Sequence, residues 1–164
     1  MKEIKLSQRR FCKYKDKYVA LVDDEDFEFL NQFRWCAKKG RYTFYAERAI
    51  KVDGRNSTQY MHQVILNSRN IDHIDRNGLN NQRSNLRLCN QSQNSMNTGK
   101  HKNCTSAYKG VYFHKRFNKW ASAIRISGKR FHLGYFTSEV DAAKAYNAKA
   151  IELFCEFANL NKFD

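Results

Sequence analysis

The stretch Asp72-His73-Ile74-Asp75-Arg76-Asn77-Gly78, then Asn80-Asn81-Gln82-Arg83-Ser84-Asn85-Leu86-Arg87, then Gln91-Ser92-Gln93-Asn94 decides how this chain is read. Apolar residues bracket it, so residues 71–74 and 85–89 are expected to be the strands of a long-looped hairpin, and 91–98 a helix ended by Gly99. Asparagines crowd the region, at 67, 70, 77, 80, 81, 85, 90, 94 and 97. So much Asn cannot form a core and belongs in turns, caps and polar contacts. Asn77, Gly78, Asn80 and Asn81 are expected to shape the loop, with Gly78 supplying a positive φ. Residues 60–66, just before the hairpin, read as a short helix carrying His62, for which packing or hydrogen bonding competes with phosphate contact.

The composition around this stretch is strongly basic. The chain has 164 residues, 30 Lys plus Arg against 16 Asp plus Glu, a net charge of +14 and a pI near 9.7. A mean hydropathy of −0.80 and the lack of a long apolar window exclude a membrane span. The N-terminus has no apolar stretch behind its basic start, so no secretory signal is expected, and a cytoplasmic location (bacterial or phage-infected host cell) follows. Aromatic residues at 14% argue against disorder. The five cysteines, Cys12, Cys36, Cys89, Cys104 and Cys155, form no CxxC pair, so they read as reduced thiols, most of them packed as small hydrophobes, and not as a zinc site. The charge calls for a polyanionic partner, nucleic acid first. It is spread as +5 before residue 59, +3 over 61–100 and +6 over 101–164.

The flanking segments are legible too. Residues 1–58 read as a mixed α/β scaffold: a strand at 18–22, a helix opened by the acidic run 23–26 with Phe27, Leu30 and Phe33 inward, and a strand at 41–50 with Asp53-Gly54 as a turn. Its alternative is an extra DNA-contacting layer through Lys38, Lys39 and Arg41. Residues 59–100 form the hairpin segment and 101–106 a polar, basic linker containing His101. Residues 107–164 read as strands at 111–114, 119–127 and 129–135 followed by a helix, opened by Ser138, with Ala142, Ala143, Tyr146, Ala150, Leu153, Phe154 and Phe157 as its stripe. Alternation puts Val111, Phe113, Trp120, Ser122, Ile124, Ile126, Phe131 and Leu133 on one face of that sheet. The other face carries Tyr112, His114, Ala121, Ala123, Arg125, Arg130 and His132. That face is either an ordinary wet surface or one that enters a DNA major groove, where Arg pairs with guanine.

Hydrolysing a phosphodiester takes a base to activate water, a divalent metal to neutralise charge on the phosphorane and the leaving oxygen, and a group to hold the base in its tautomer. A His beside an Asp at a strand end, followed by one Asn on the return strand and another on a helix, can supply all three. One carboxylate and one amide are hard oxygen donors, which suit Mg²⁺ or Mn²⁺ and not zinc. The string from Asp72 to Arg87 resembles the HNH endonucleases, in particular the phage and intron-encoded ones with a ββα-metal site. The resemblance implies His73 as general base, Asn85 as the residue orienting its imidazole, and Asp72 and Asn94 as metal ligands. Arg83 and Arg87 are either phosphate contacts or solvated surface arginines.

The last segment resembles the Apetala-type, ethylene-response-factor DNA-binding domain through Tyr108-Lys109-Gly110-Val111, Lys119-Trp120-Ala121, Ile124-Arg125, Leu133-Gly134-Tyr135-Phe136, Ala142-Ala143, Ala145-Tyr146 and Asn159. The resemblance implies a sheet in the major groove, with Lys109, Arg125, Arg130 and Tyr146 at DNA-contacting positions. Tyr112, His114, Ala123 and His132 depart from the family there, so the groove-binding mode carries over but the target sequence does not. The expected fold class is therefore α+β, a small ββα-metal HNH nuclease module followed by a three-stranded antiparallel sheet packed on one helix. The expected function is a Mg²⁺-dependent, site-directed, homing-type DNA endonuclease of a phage or bacterium, acting as a monomer on double-stranded DNA. Its rivals are a non-catalytic DNA-binding regulator and a basic RNA-binding protein.

Overall fold

A computed structural model describes residues 1–7, 17–100, 104–126 and 128–163 of the chain. Cys12 and His101 lie outside the described residues. The architecture is mixed α+β, with four small antiparallel sheets among the described residues. It divides into two compact units, Met1–Asn90 and Gln91–Asp164.

In the first unit, β1 (Lys2–Lys5) pairs with β2 (Val19–Val22), and α1 (Asp24–Leu30) follows. Strands β3 (Cys36–Lys39), β4 (Phe44–Val52) and β5 (Arg55–Tyr60) form a meander. Asp53 (φ 49°) and Gly54 (φ 74°) turn β4 into β5, as the Asp-Gly signal requires. Helix α2 (Met61–Leu66) leads to the hairpin of β6 (Ile71–His73) and β7 (Leu86–Leu88). Ile4, Val22, Leu30, Trp35 and Ala46 pack in one core with Met61, Ile65, Ile71 and Leu86. The composition change near residue 59 is thus a change of surface and not of domain: three-residue strands cannot bury a core of their own.

The second unit begins with α3 (Gln91–Met96), so the sequence-based grouping of this helix with the hairpin differs from the observed division. Strands β8 (Val111–His114), β9 (Lys119–Ile126) and β10 (Lys129–Phe136) form a sheet with β9 central, and α4 (Glu139–Phe154) covers one face. Ser138 accepts a hydrogen bond from the Asp141 amide, capping α4 as its sequence predicts. Ser106, expected in the linker, is buried and donates to Glu139 Oε1 at 2.6 Å. The expected helix stripe is buried at Ala142, Ala143, Tyr146, Ala150 and Phe154. Of the described cysteines, Cys104 and Cys155 are exposed and Cys36 and Cys89 half-buried, all unpaired, so the reading of them as packed hydrophobes fails for the first two.

One irregularity changes the sheet's faces. The β9–β10 register shifts between His132 and Gly134, leaving Leu133 as the extra residue of a bulge. Gly134 sits at φ 134°, a conformation L side chains rarely adopt. Strict alternation puts Tyr135 with Phe131 and Leu133 against the helix. The bulge turns it to the open face instead, opposite Ala121.

Candidate active site

The hairpin is held from outside by the segment that precedes it. Leu21 donates to Leu79 O and accepts from Asn81 N, both at 2.8 Å, so β2 lies along the loop. Asp23, at the head of α1, accepts from Gln82 Nε2 at 3.1 Å and from Arg83 N at 2.8 Å. The Arg83 guanidinium sits on Asp26 at 2.8 Å and Glu25 at 2.7 Å. The acidic run therefore does more than complement a helix dipole: it clamps the loop. Arg83 is committed to that clamp. Gly78 has an ordinary φ, contrary to its expected positive one; Arg76 takes the left-handed position, at φ 64°. Gly78 is needed for space, since a Cβ there would lie 2.5 Å from Phe44 O and from the Tyr45 ring.

Inside the loop, Asp75 accepts from Asn77 N, Asn80 Nδ2 and Asn85 Nδ2 at 2.8, 2.8 and 2.9 Å. Asn85 also accepts from Asp75 N and donates to Asn80 O. Its amide is thus spent on the loop's shape, which differs from the expected contact with the His73 ring. Asn81 makes that contact instead. Fully buried, it directs its Oδ1 to His73 Nε2 at 3.4 Å, while its Nδ2 donates to Leu79 O at 3.2 Å. The second bond fixes which way the amide faces, so the ring nitrogen facing Oδ1 carries the proton and the lone pair sits on Nδ1. Burial holds the His73 imidazole below its ordinary pKa, opposed by the Asn81 bond and by Asp75 and Asp72. A lowered pKa favours the neutral imidazole, the form a base needs.

Asp72 and Arg87 face each other across the β6–β7 ladder, with Arg87 Nη2 2.7 Å from Asp72 Oδ2 and Nε 3.0 Å from the same oxygen. Both side chains are largely buried. Arg87 is therefore engaged by the carboxylate beside the candidate base, and Asp72 reaches its position as half of an ion pair.

The comparisons with known proteins bear on this arrangement. No family model and no solved structure matches the chain. A protein of Acanthamoeba polyphaga mimivirus, named as an uncharacterised HNH endonuclease, is 34% identical over 146 residues, covering 88% of this chain and 75% of the relative. The chain belongs to the HNH endonucleases. Protein 3.8 of Escherichia phage T7 is 40% identical over 60 residues, covering 37% of this chain and 50% of that protein. Neither name extends to the Apetala-type resemblance of the C-terminal segment.

In this HNH endonuclease, the immediate neighbours of His73 are aromatic, a feature not evident from spacing. The His62 ring meets the His73 ring edge-on at 4.9 Å and stacks on Tyr60 at 5.4 Å. Tyr45 packs edge-on against both histidines, at 6.0 and 5.9 Å. Burial, with smaller contributions from the neighbouring Tyr60 and Asp72, pushes the Tyr45 hydroxyl pKa up. The signal that points here is the period of α2, which turns Met61, His62 and Ile65 inward together.

His62 is 7% exposed, and burial together with neighbouring His73 pushes its imidazole down to about 3. The unfolded chain therefore takes up a proton near pH 6.5 that the folded chain refuses until about pH 3. Stability is full above 6.5 and falls as pH drops toward 3, by about 1.4 kcal/mol per pH unit for this one group. Urea titrations from pH 7 to 4 are expected to show that decline, and His62→Phe to make it shallower, with His73 supplying what remains; an equally steep decline in the variant contradicts the assignment.

As for a metal, no three described His, Cys, Asp or Glu side chains converge on a common point. The donor to hand is Asp72, a hard oxygen of the kind that Mg²⁺ or Mn²⁺, completed by water, accepts. Asn94 is placed on α3, in the second unit.

The second unit places the residues expected at DNA-contacting positions in two different settings. Tyr146 is buried in the α4–sheet core, and a Cβ on Gly110 would lie 2.0 Å from its ring, so the contact implied by the Apetala resemblance is replaced by packing. Burial raises its hydroxyl to about 12. Lys109 donates through Nζ to Met96 O at 2.7 Å, at the last turn of α3. Arg125, Arg130 and His132 are exposed, and Tyr112 and His114 half-exposed, all on the open face.

Proposed function

We propose that this chain is a divalent-metal-dependent DNA endonuclease in which His73 is the general base and the open sheet face of the second unit binds double-stranded DNA. The observation that carries the reading is the setting of His73: buried beside Asp72, with Nε2 3.4 Å from Asn81 Oδ1, and with burial holding its imidazole below its ordinary pKa. His73 Nδ1 takes a proton from water as the water oxygen attacks phosphorus in line. The P–O3′ bond breaks, and the departing O3′ takes a proton from solvent water, leaving a 5′-phosphate and a 3′-hydroxyl. Asn81 keeps the other ring nitrogen protonated and the ring aimed. A Mg²⁺ or Mn²⁺ ion on Asp72, when bound, supplies the positive charge that the phosphorane and the leaving oxygen need.

Supercoiled plasmid tests this directly. Nicked or linear product is expected with Mg²⁺ or Mn²⁺ and none with EDTA. Wild-type protein that is inert with every divalent metal, and on DNA carrying its selected target, overturns the enzyme reading. The Asp72–Arg87 ion pair favours the other reading, a DNA-binding regulator without catalysis, because it occupies the one carboxylate offered to a metal.

A further inference from the structure

The open face of the second unit has two chemically different ends. Arg125 and Arg130 are directly paired near the β9–β10 turn. At the opposite end lie rings. Phe117 stacks on His114 with centroids 4.7 Å apart at 15°, and Tyr135 meets both edge-on, at 5.3 Å from His114 and 4.9 Å from Phe117. Their neighbour on the central strand is Ala121, which lies between Tyr112 and Tyr135 in the register and is fully buried. Phe117 remains 49% exposed and Tyr135 41%.

Two features argue that this cluster faces a ligand. Leaving large rings in water costs burial free energy that the core could have gained. The bulge at Leu133–Gly134, where a glycine takes a φ that L side chains rarely adopt, is what brings Tyr135 out to the cluster. The surrounding charge selects the ligand: between residues 104 and 138 there are seven Lys or Arg and no Asp or Glu. Cations track a phosphate backbone, and exposed rings offer a surface to the faces of bases. A base inside an intact stack presents only its edge, so rings can stack only on a base that has left it.

We propose that the Phe117–His114–Tyr135 cluster is a stacking site for an unstacked base, so that the second unit binds DNA whose duplex is locally opened in preference to a perfect duplex. The arginine end holds the flanking duplex and the aromatic end takes the displaced base. This rests on the DNA-endonuclease reading and adds the form of DNA recognised.

The test uses the full chain in EDTA, with a 30-bp mixed-sequence duplex and the same duplex carrying a four-nucleotide central bubble. Wild type is expected to prefer the bubble by about tenfold, the scale of one base–aromatic stack. Phe117→Ala with Tyr135→Ala is expected to remove the preference while keeping perfect-duplex affinity within about threefold. Arg125→Ala with Arg130→Ala is expected to weaken both DNAs together. Phe131→Ala is a matched control: it removes a ring that is 45% exposed and opposite Ile124, whose side chain faces α4, so it should leave the preference intact. Equal wild-type affinity for the two duplexes, or a preference that survives the Phe117/Tyr135 double change, overturns the proposal but not the DNA reading. Absence of binding to either DNA overturns the DNA reading itself. Tighter binding to the RNA version of the bubble overturns the choice of DNA.

Discussion

His73→Ala is expected to lower the single-turnover rate of plasmid cleavage by roughly 10²–10⁴-fold, the contribution of a positioned general base. The variant loses the only group in the described site that combines a neutral imidazole, burial and an anchored tautomer. Two asparagine changes sharpen the result, because the structure gives them different work. Asn81→Ala leaves the His73 ring without its Oδ1 partner, so cleavage should fall by an order of magnitude or more. Asn85→Ala opens the loop, because its amide bridges Asp75 and Asn80. Its main effect should be a lower melting temperature, from three part-buried hydrogen bonds at about 1 kcal/mol each. A cleavage rate insensitive to His73→Ala and Asn81→Ala, in folded variants that still bind DNA, removes His73 from the mechanism. The reverse ranking of the asparagines restores Asn85 as the orienting residue.

The contrast between those asparagines shows where reading the sequence stops. The spacing from Asp72 to Arg87 marks a hairpin with a His at one strand end, because alternation and turn residues are local signals. Which amide reaches the ring depends on how a loop folds over β2, and Leu21 is 60 residues before Asn81. The partners of Arg83 are equally distant in sequence, so a clamp by Asp26 and Glu25 cannot be told from a solvated arginine. Strand β5 fails for a different reason. Its residues RNSTQY are mostly exposed, and the Asp53-Gly54 turn and the ladder to β4 hold it, with no apolar face to read. The C-terminal sheet is legible through Val111, Trp120 and Ile124 up to the bulge. There the lone glycine in a strand pattern, Gly134, is the available sign that the alternation breaks.

Arg87→Ala is expected to be the most damaging single change to stability, at about 3–5 kcal/mol, a large share of what a small domain has. The Asp72 side chain is 6% exposed and the Arg87 side chain 14%, so removing the guanidinium takes the counter-charge from a carboxylate that water reaches poorly. Attraction across the pair is offset by the cost of drying both ions, so replacing the two together should cost far less than replacing one. Asp72→Val with Arg87→Leu is therefore expected to unfold in urea close to wild type, while cutting no DNA. That combination separates stability from chemistry: a folded double variant that still cleaves plasmid excludes Asp72 as the metal's ligand. The single variant carries a second readout. If Asp72 binds Mg²⁺, the ion can replace the lost guanidinium as its counter-charge, and Arg87→Ala should recover up to about 2.7 kcal/mol at a hundred times the dissociation constant. Wild type, whose carboxylate already has a partner, should gain less. Equal stabilisation of the two proteins by Mg²⁺, or none of either, places the metal elsewhere and leaves Asp72–Arg87 as a structural ion pair of the hairpin.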